Sequence, residues 1–153
     1  MKNTIDPILR EDLAHISEIF PHWDDLAGKS VFVTGATGLV GSMLVRTLCA
    51  APVAITVIAH VRNEQKARAM FGRLPVTYCL GDVTAPVQYE GTVDHILHTA
   101  SVTASKSFVT EPVQTLMTAI DGTKNLLEFA REKRVRGMVY VSSMEAYGIT
   151  DPK

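Results

Sequence analysis

A doubly wound α/β fold on a parallel sheet of about five strands, preceded by an extra N-terminal helix, is predicted by three features of the sequence. Short β-branched runs alternate with helical stretches from Val31 onward, a glycine-rich turn joins the first run to the first of those helices, and a separate apolar stripe at helical spacing leads the chain. The strand candidates are Val31 to Thr34, Ala54 to Val61, Val76 to Leu80, Val93 to His98 and Gly137 to Ser142. Leu39 to Ala50, Glu64 to Phe71 and Pro112 to Lys133 carry helical periodicity and composition. Strand and helix in alternation imply right-handed crossovers and a sheet covered on both faces.

In the leading segment, Ile8, Leu9, Leu13, Ile16, Ile19 and Phe20 recur at spacings of three and four between Asp6 and Phe20, and Pro21 ends the pattern. The polar stretch Pro21 to Ser30, with Asp24, Asp25 and Gly28, reads as a connection. Residues 1–29 are therefore expected to be a helix and loop laid on the core, and residues 30–153 the α/β domain.

Composition narrows the function. Hydrophobic residues make up 46% of the 153 positions, enough for one packed core, and 15 basic against 16 acidic residues leave a net charge of -1 with no patch suited to nucleic acid or an anionic membrane. No apolar run approaches the roughly 20 residues needed to span a bilayer, and Asp6 and Pro7 stand where a signal peptide would be apolar. A cytoplasmic protein is the expectation. Cys49 and Cys79 lie in apolar stretches with no metal-ligand spacing and read as buried reduced thiols; no metal site is expected.

The strongest local signal is Val31-Phe32-Val33-Thr34-Gly35-Ala36-Thr37-Gly38-Leu39-Val40-Gly41, a strand, a glycine turn and a helix start. Gly35 permits the tight turn, Gly38 lets backbone amides approach a pyrophosphate, and Gly41 lets the helix pack close to the strand. A helix opening near Leu39 directs its unpaired amides and roughly half a positive charge at that pyrophosphate.

The spacing Thr-Gly-x-x-Gly-x-x-Gly resembles the extended short-chain dehydrogenase/reductases, and specifically the NAD-dependent epimerase/dehydratase family that modifies nucleotide sugars, with its Rossmann-type sheet. Further segments agree in order: Gly81-Asp82-Val83, His98-Thr99-Ala100-Ser101, Asp121-Gly122-Thr123-Lys124-Asn125-Leu126-Leu127-Glu128, and Val139 to Gly148. The resemblance implies that Gly35, Thr37, Gly38, Leu39, Val40 and Gly41 hold the dinucleotide phosphates. It places Asp82 and Val83 at the adenine, and Thr99, Ala100 and Ser101 under the ribose and nicotinamide. NAD is the cofactor it implies. Members that prefer NAD carry an acid at the end of the second strand, yet Val57 to Asn63 has none. Arg62 could pair with a 2′-phosphate instead, which leaves NADP open, or be a solvated residue opening the next helix.

The resemblance also implies Ser143 as the hydroxyl that orients the sugar, and Glu145 as the carboxylate found in nucleotide-sugar dehydratases and decarboxylases. Met144 stands where dehydratases have an aspartate acid, which favours decarboxylation or epimerisation, and Ala119 replaces an asparagine usual in this branch. The family's proton-accepting Tyr-x-x-x-Lys is missing: Tyr78, Tyr89, Tyr140 and Tyr147 are followed four positions on by Asp82, Val93, Met144 and Asp151. The expectation is a dinucleotide-binding portion without turnover, whose complete form takes a nucleotide sugar and forms a homodimer through the long helix. A non-catalytic nucleotide- or partner-binding module, or part of an NADP-dependent carbonyl reductase, are the alternatives.

Overall fold

The computed structural model describes residues 6–148. Its elements in chain order are α1 (Pro7–Ile19), β1 (Ser30–Thr34), α2 (Leu39–Cys49), β2 (Thr56–Val61), α3 (Glu64–Phe71), β3 (Val76–Leu80), β4 (His95–His98), α4 (Ser105–Thr110), α5 (Pro112–Lys133) and β5 (Gly137–Tyr140), with short 3-10 turns at Asp24–Leu26 and Met144–Tyr147. The strands form one five-stranded sheet in the order β3-β2-β1-β4-β5. Every pairing is parallel; Thr34 at the end of β1 sits level with His60 on one side and His98 on the other.

Side chains alternate across a strand, so a sheet buried on both faces needs apolar residues at successive positions. On one face Val31, Val33, Val57, Ala59 and Val61 pack with Val45 and Leu48 of α2 and Ala67 and Phe71 of α3. On the other, Phe32, Ile58, Cys79 and Ile96 pack with Leu126 and Phe129 of α5. Phe32 is fully buried, with the Phe129 ring 5.0 Å and the His60 ring 5.6 Å away. At the amino edge, Ser30 N–H and Oγ–H both donate to Asp94 Oδ2 at 2.9 Å, and Arg136 Nε donates to Asp94 Oδ1 at 3.1 Å. These bonds tie the starts of β1, β4 and β5 and hold the Asp94 carboxyl below the usual range, the Ser30 backbone bond contributing most.

The expected strand and helix order is found, with differences at the margins. β5 ends at Tyr140 and not Ser142, because it is paired only with β4, whose four residues run out at His98. α4 was not foreseen; six residues without a side-chain cap leave little signal. α1 starts where expected, with Asp6 accepting from Ile8 N–H at 2.9 Å and Pro7 in the first turn. However, it buries none of its residues, and Ile8 and Ile19 are exposed. Its firm attachment is Trp23, in the connection, which is buried and donates its indole N–H to Ser17 O at 2.9 Å. Cys79 is buried with its thiol on Gln88 O, whereas Cys49 is only half-buried, its thiol pushed up to about 11 by desolvation; both are free. No helix among the described residues is long and apolar enough to cross a membrane.

Candidate functional site

A parallel sheet brings all strand carboxyl ends to one edge, and a crevice opens there where connections leave in opposite directions from neighbouring strands. Here β1 feeds α2 toward β2, while β4 lies on the other side of β1. The crevice at this edge is a cleft of about 780 Å³. Every cofactor residue expected from the sequence lines it: Gly35 and Thr37 to Gly41 from the β1–α2 turn, Arg62 after β2, Asp82 and Val83 after β3, and Thr99 to Ser101 after β4.

The turn is shaped by what a side chain would strike. Gly35 has φ +63°, and a Cβ there would lie 2.7 Å from Ala100 N and 2.8 Å from Thr99 Oγ1. Only glycine takes this conformation without strain and lets the β4 end pass so close. A Cβ at Gly41 would run into the Gly35 carbonyl oxygen. Gly38 caps α2 without a side-chain hydrogen bond, so no capping group competes for the amides of the first turn. Leu39 and Val40 there are exposed beside the cleft.

Beneath the turn, Thr34 organises the floor. Its hydroxyl is 2.6 Å from His98 Nδ1 and accepts from Ala100 N–H at 3.2 Å, while Thr99 Oγ1–H donates to Thr34 O at 2.7 Å. A hydroxyl has one proton and two lone pairs, so it serves both partners at once. Burial lowers the His98 pKa by disfavouring the charged imidazolium. The segment Thr99 to Ser101 is thereby fixed to β1.

On the β2 and β3 side, Asp82 Oδ1 accepts from Thr84 N–H at 3.0 Å and from Thr84 Oγ1–H at 2.9 Å. The Thr84 backbone bond does most to hold this carboxyl below its ordinary value. Arg62 Nη1 stands 3.7 Å from Asp82 Oδ2, and the Arg62 side chain is 82% exposed. From the opposite face, Asn125 Nδ2–H donates to Val83 O at 2.9 Å, and a Cβ at Gly122 would come within 3.0 Å of Val83 Cγ2. The Asp121 to Glu128 run thus braces the Asp82-Val83 segment from α5.

Sequence reasoning missed His60 and Lys66, which also line the cleft. His60 is buried and stacked on Phe32, with its pKa lowered to about 4, burial being the largest cause. Both were findable: they flank Arg62, and residues at a parallel strand's carboxyl end share its edge. Ser143 is not brought to the cleft lining. It is exposed just past β5, where Val141 N–H donates to His98 O at 3.0 Å and Ala146 N–H to Ser143 O at 3.1 Å. The side chain of Glu145 lies outside the described residues. Ala119 lines a separate open groove with Tyr140 on the other side of α5. Among the described residues no three His, Cys, Asp or Glu side chains group as metal ligands would.

Comparison with known proteins gives matches that include these four. The NAD dependent epimerase/dehydratase family model matches residues 31–153. UDP-glucuronic acid decarboxylase 2 of Arabidopsis thaliana is 32% identical over 123 residues, covering 79% of this chain and 27% of that protein. The non-canonical nonribosomal peptide synthetase cpsA of Aspergillus campestris is 30% identical over 154 residues, 85% of this chain and 15% of its own length. The chain thus spans under a third of either curated relative. Among solved structures, a UDP-galactose 4-epimerase superposes with a TM-score of 0.68 at 26% identity, over 80% of this chain and 41% of that one.

Proposed function

This chain belongs to the NAD dependent epimerase/dehydratase family, and from that membership we propose that the cleft holds a nicotinamide dinucleotide in the service of chemistry on a nucleotide-linked sugar. The observation that carries the reading is the gathering of the turn Gly35 to Gly41, Asp82-Val83 and Thr99 to Ser101 around one cleft at the carboxyl edge. When bound there, a nicotinamide would supply the acceptor for a hydride from a sugar carbon, the sugar hydroxyl giving up its proton to a base. The α2 amides would hold the pyrophosphate, and Asp82, its carboxyl held below the ordinary value and fixed by Thr84, would hold the adenine end, above a floor tied by Thr34 and His98. Support for a sugar nucleotide comes from the decarboxylase and epimerase relatives, and Met144 in place of an acid favours decarboxylation or epimerisation over dehydration.

Ser143 is assigned to orient the reacting sugar hydroxyl, with Glu145 beside it as a carboxylate for the substrate. A serine hydroxyl is far too weak a base to take that proton at neutral pH, and these 153 residues contain no Tyr-x-x-x-Lys. The chain is therefore expected to bind without turnover. Calorimetry with NAD+ and NADP+, followed by incubation with UDP-sugars under nicotinamide absorbance, tests both parts. Binding of neither dinucleotide removes the cleft assignment, and turnover at an ordinary enzymatic rate removes the assignment of a binding-only chain.

Pairing of two chains through α5 belongs to the same proposal. Val113, Leu116, Met117, Ile120 and Leu127 are exposed on that helix, an apolar surface that water penalises. A dimer is expected by light scattering at tens of micromolar, and a monodisperse monomer would remove it.

A further inference from the structure

We propose that the dinucleotide this cleft selects is the 2′-phosphorylated one, with the phosphate received between Arg62 and Lys66; this rests on the dinucleotide reading above. In this architecture the adenosine lies over the strand that follows the glycine turn, and selection for an unphosphorylated ribose uses a carboxylate at that strand's end to accept from its hydroxyls. Here β2 ends in Val61 and is followed by Arg62 and Asn63, with no acid from Thr56 to Asn63.

Of the two acids nearby, Glu64 is bound to another cation and Asp82 meets Arg62 only loosely. Glu64 does not line the cleft; its Oε1 is held by Arg68, Nη2 at 2.6 Å and Nε at 2.7 Å. Asp82 Oδ1 is taken by Thr84, and its Oδ2 stands 3.7 Å from Arg62, beyond a strong hydrogen bond. The Arg62 guanidinium thus keeps its planar fork for an incoming anion, the geometry that grips a phosphate with two parallel bonds. Lys66 adds a second positive charge on the same cleft lining, in the first turn of α3. His60 adds none, because burial keeps it neutral at physiological pH. Two cations on one rim, with Glu64 bound to Arg68 and Asp82 held on one oxygen by Thr84, suit a dianionic monoester better than a pair of ribose hydroxyls.

The test is calorimetric titration of the 153-residue chain with NADP+, NAD+, 2′,5′-ADP and 5′-ADP at physiological salt. NADP+ is expected to bind about 10- to 100-fold more tightly than NAD+, the range expected for two charge-assisted contacts at an exposed rim. The same ratio is expected between 2′,5′-ADP and 5′-ADP, which places the discrimination at the ribose and not at the nicotinamide. Arg62→Ala should bring the ratio to within about threefold of one, and Lys66→Ala should lower it by less. Both side chains stand at the surface, so unchanged thermal unfolding will show that each variant folds. NAD+ binding as tightly as NADP+, or a ratio unmoved when Arg62→Ala and Lys66→Ala are combined, would overturn the phosphate site while leaving the dinucleotide cleft standing. If neither dinucleotide binds, the cleft assignment fails and this inference fails with it.

Discussion

Gly38→Val will lower the affinity for either dinucleotide at least about 100-fold while the fold persists, because two or more charge-assisted bonds to phosphate, each worth about 1.5–3 kcal/mol, would be lost. Gly38 has φ -80° and ψ 176°, extended backbone that any residue adopts. A Cβ there would meet only the Gly35 carbonyl oxygen, at 3.1 Å, a contact relieved by a small shift. Everything else around it within 4 Å is open, and that space is the cleft in front of the α2 amides. The valine methyls would stand where the pyrophosphate has to come. Calorimetry with NAD+ and NADP+, beside a thermal melt within a few degrees of the parent, checks both halves. An unchanged affinity would detach the glycine turn from binding.

How far the sequence could be read depended on which physical signal each element carries. β1 and β2 are buried on both faces, so Val31 to Thr34 and Val57 to Val61 are continuous apolar runs that stand out from their polar flanks. α5 is long enough for its periodicity to be unambiguous. α4 has too few residues for any periodicity to show. α1 misled in a different way. Its stripe has the spacing of a packing helix, yet spacing reports only that one face is apolar, and Ile8 and Ile19 remain in solvent. Trp23, a lone aromatic in a polar connection, was the better indicator of where this segment is attached.

For the site, the chain order of the motifs was legible, and their convergence follows from parallel topology alone. What the sequence lacked was register across strands. Thr34 lies level with both His60 and His98, and this sets the hydroxyl against one imidazole and the other imidazole against the cleft wall. No spacing along the chain encodes those lateral relations. The run Asp121 to Glu128 shows the same limit. As a motif it pointed to a family; in space Gly122 and Asn125 hold Val83 from the far face, a mechanical role visible only once α5 is laid on the sheet.

Gly41→Val will act on the fold itself, with a destabilisation of about 3–5 kcal/mol, at the upper end of what overpacking produces. The difference from Gly38 lies in what the added carbon strikes. At Gly41 it meets the Gly35 carbonyl oxygen, lies 2.7 Å from Gly35 C and 2.9 Å from Thr99 Oγ1, and two of these are backbone atoms that cannot rotate aside. The Gly35 backbone is itself fixed by its positive φ and by Ala100 N beside it. Relief therefore requires the start of α2 to lift from β1, which pulls Val45 and Leu48 out of the core they share with Val31 and Val33. For a domain of this size each kcal/mol shifts the unfolding midpoint by about 2–4 °C, so a fall of about 6–20 °C is expected without any ligand present. Gly41→Ala carries the same Cβ and should lose most of that amount. A ligand-free melt separates this effect from binding, and a midpoint within a degree or two of the parent would mean that α2 can back away from the turn at little cost.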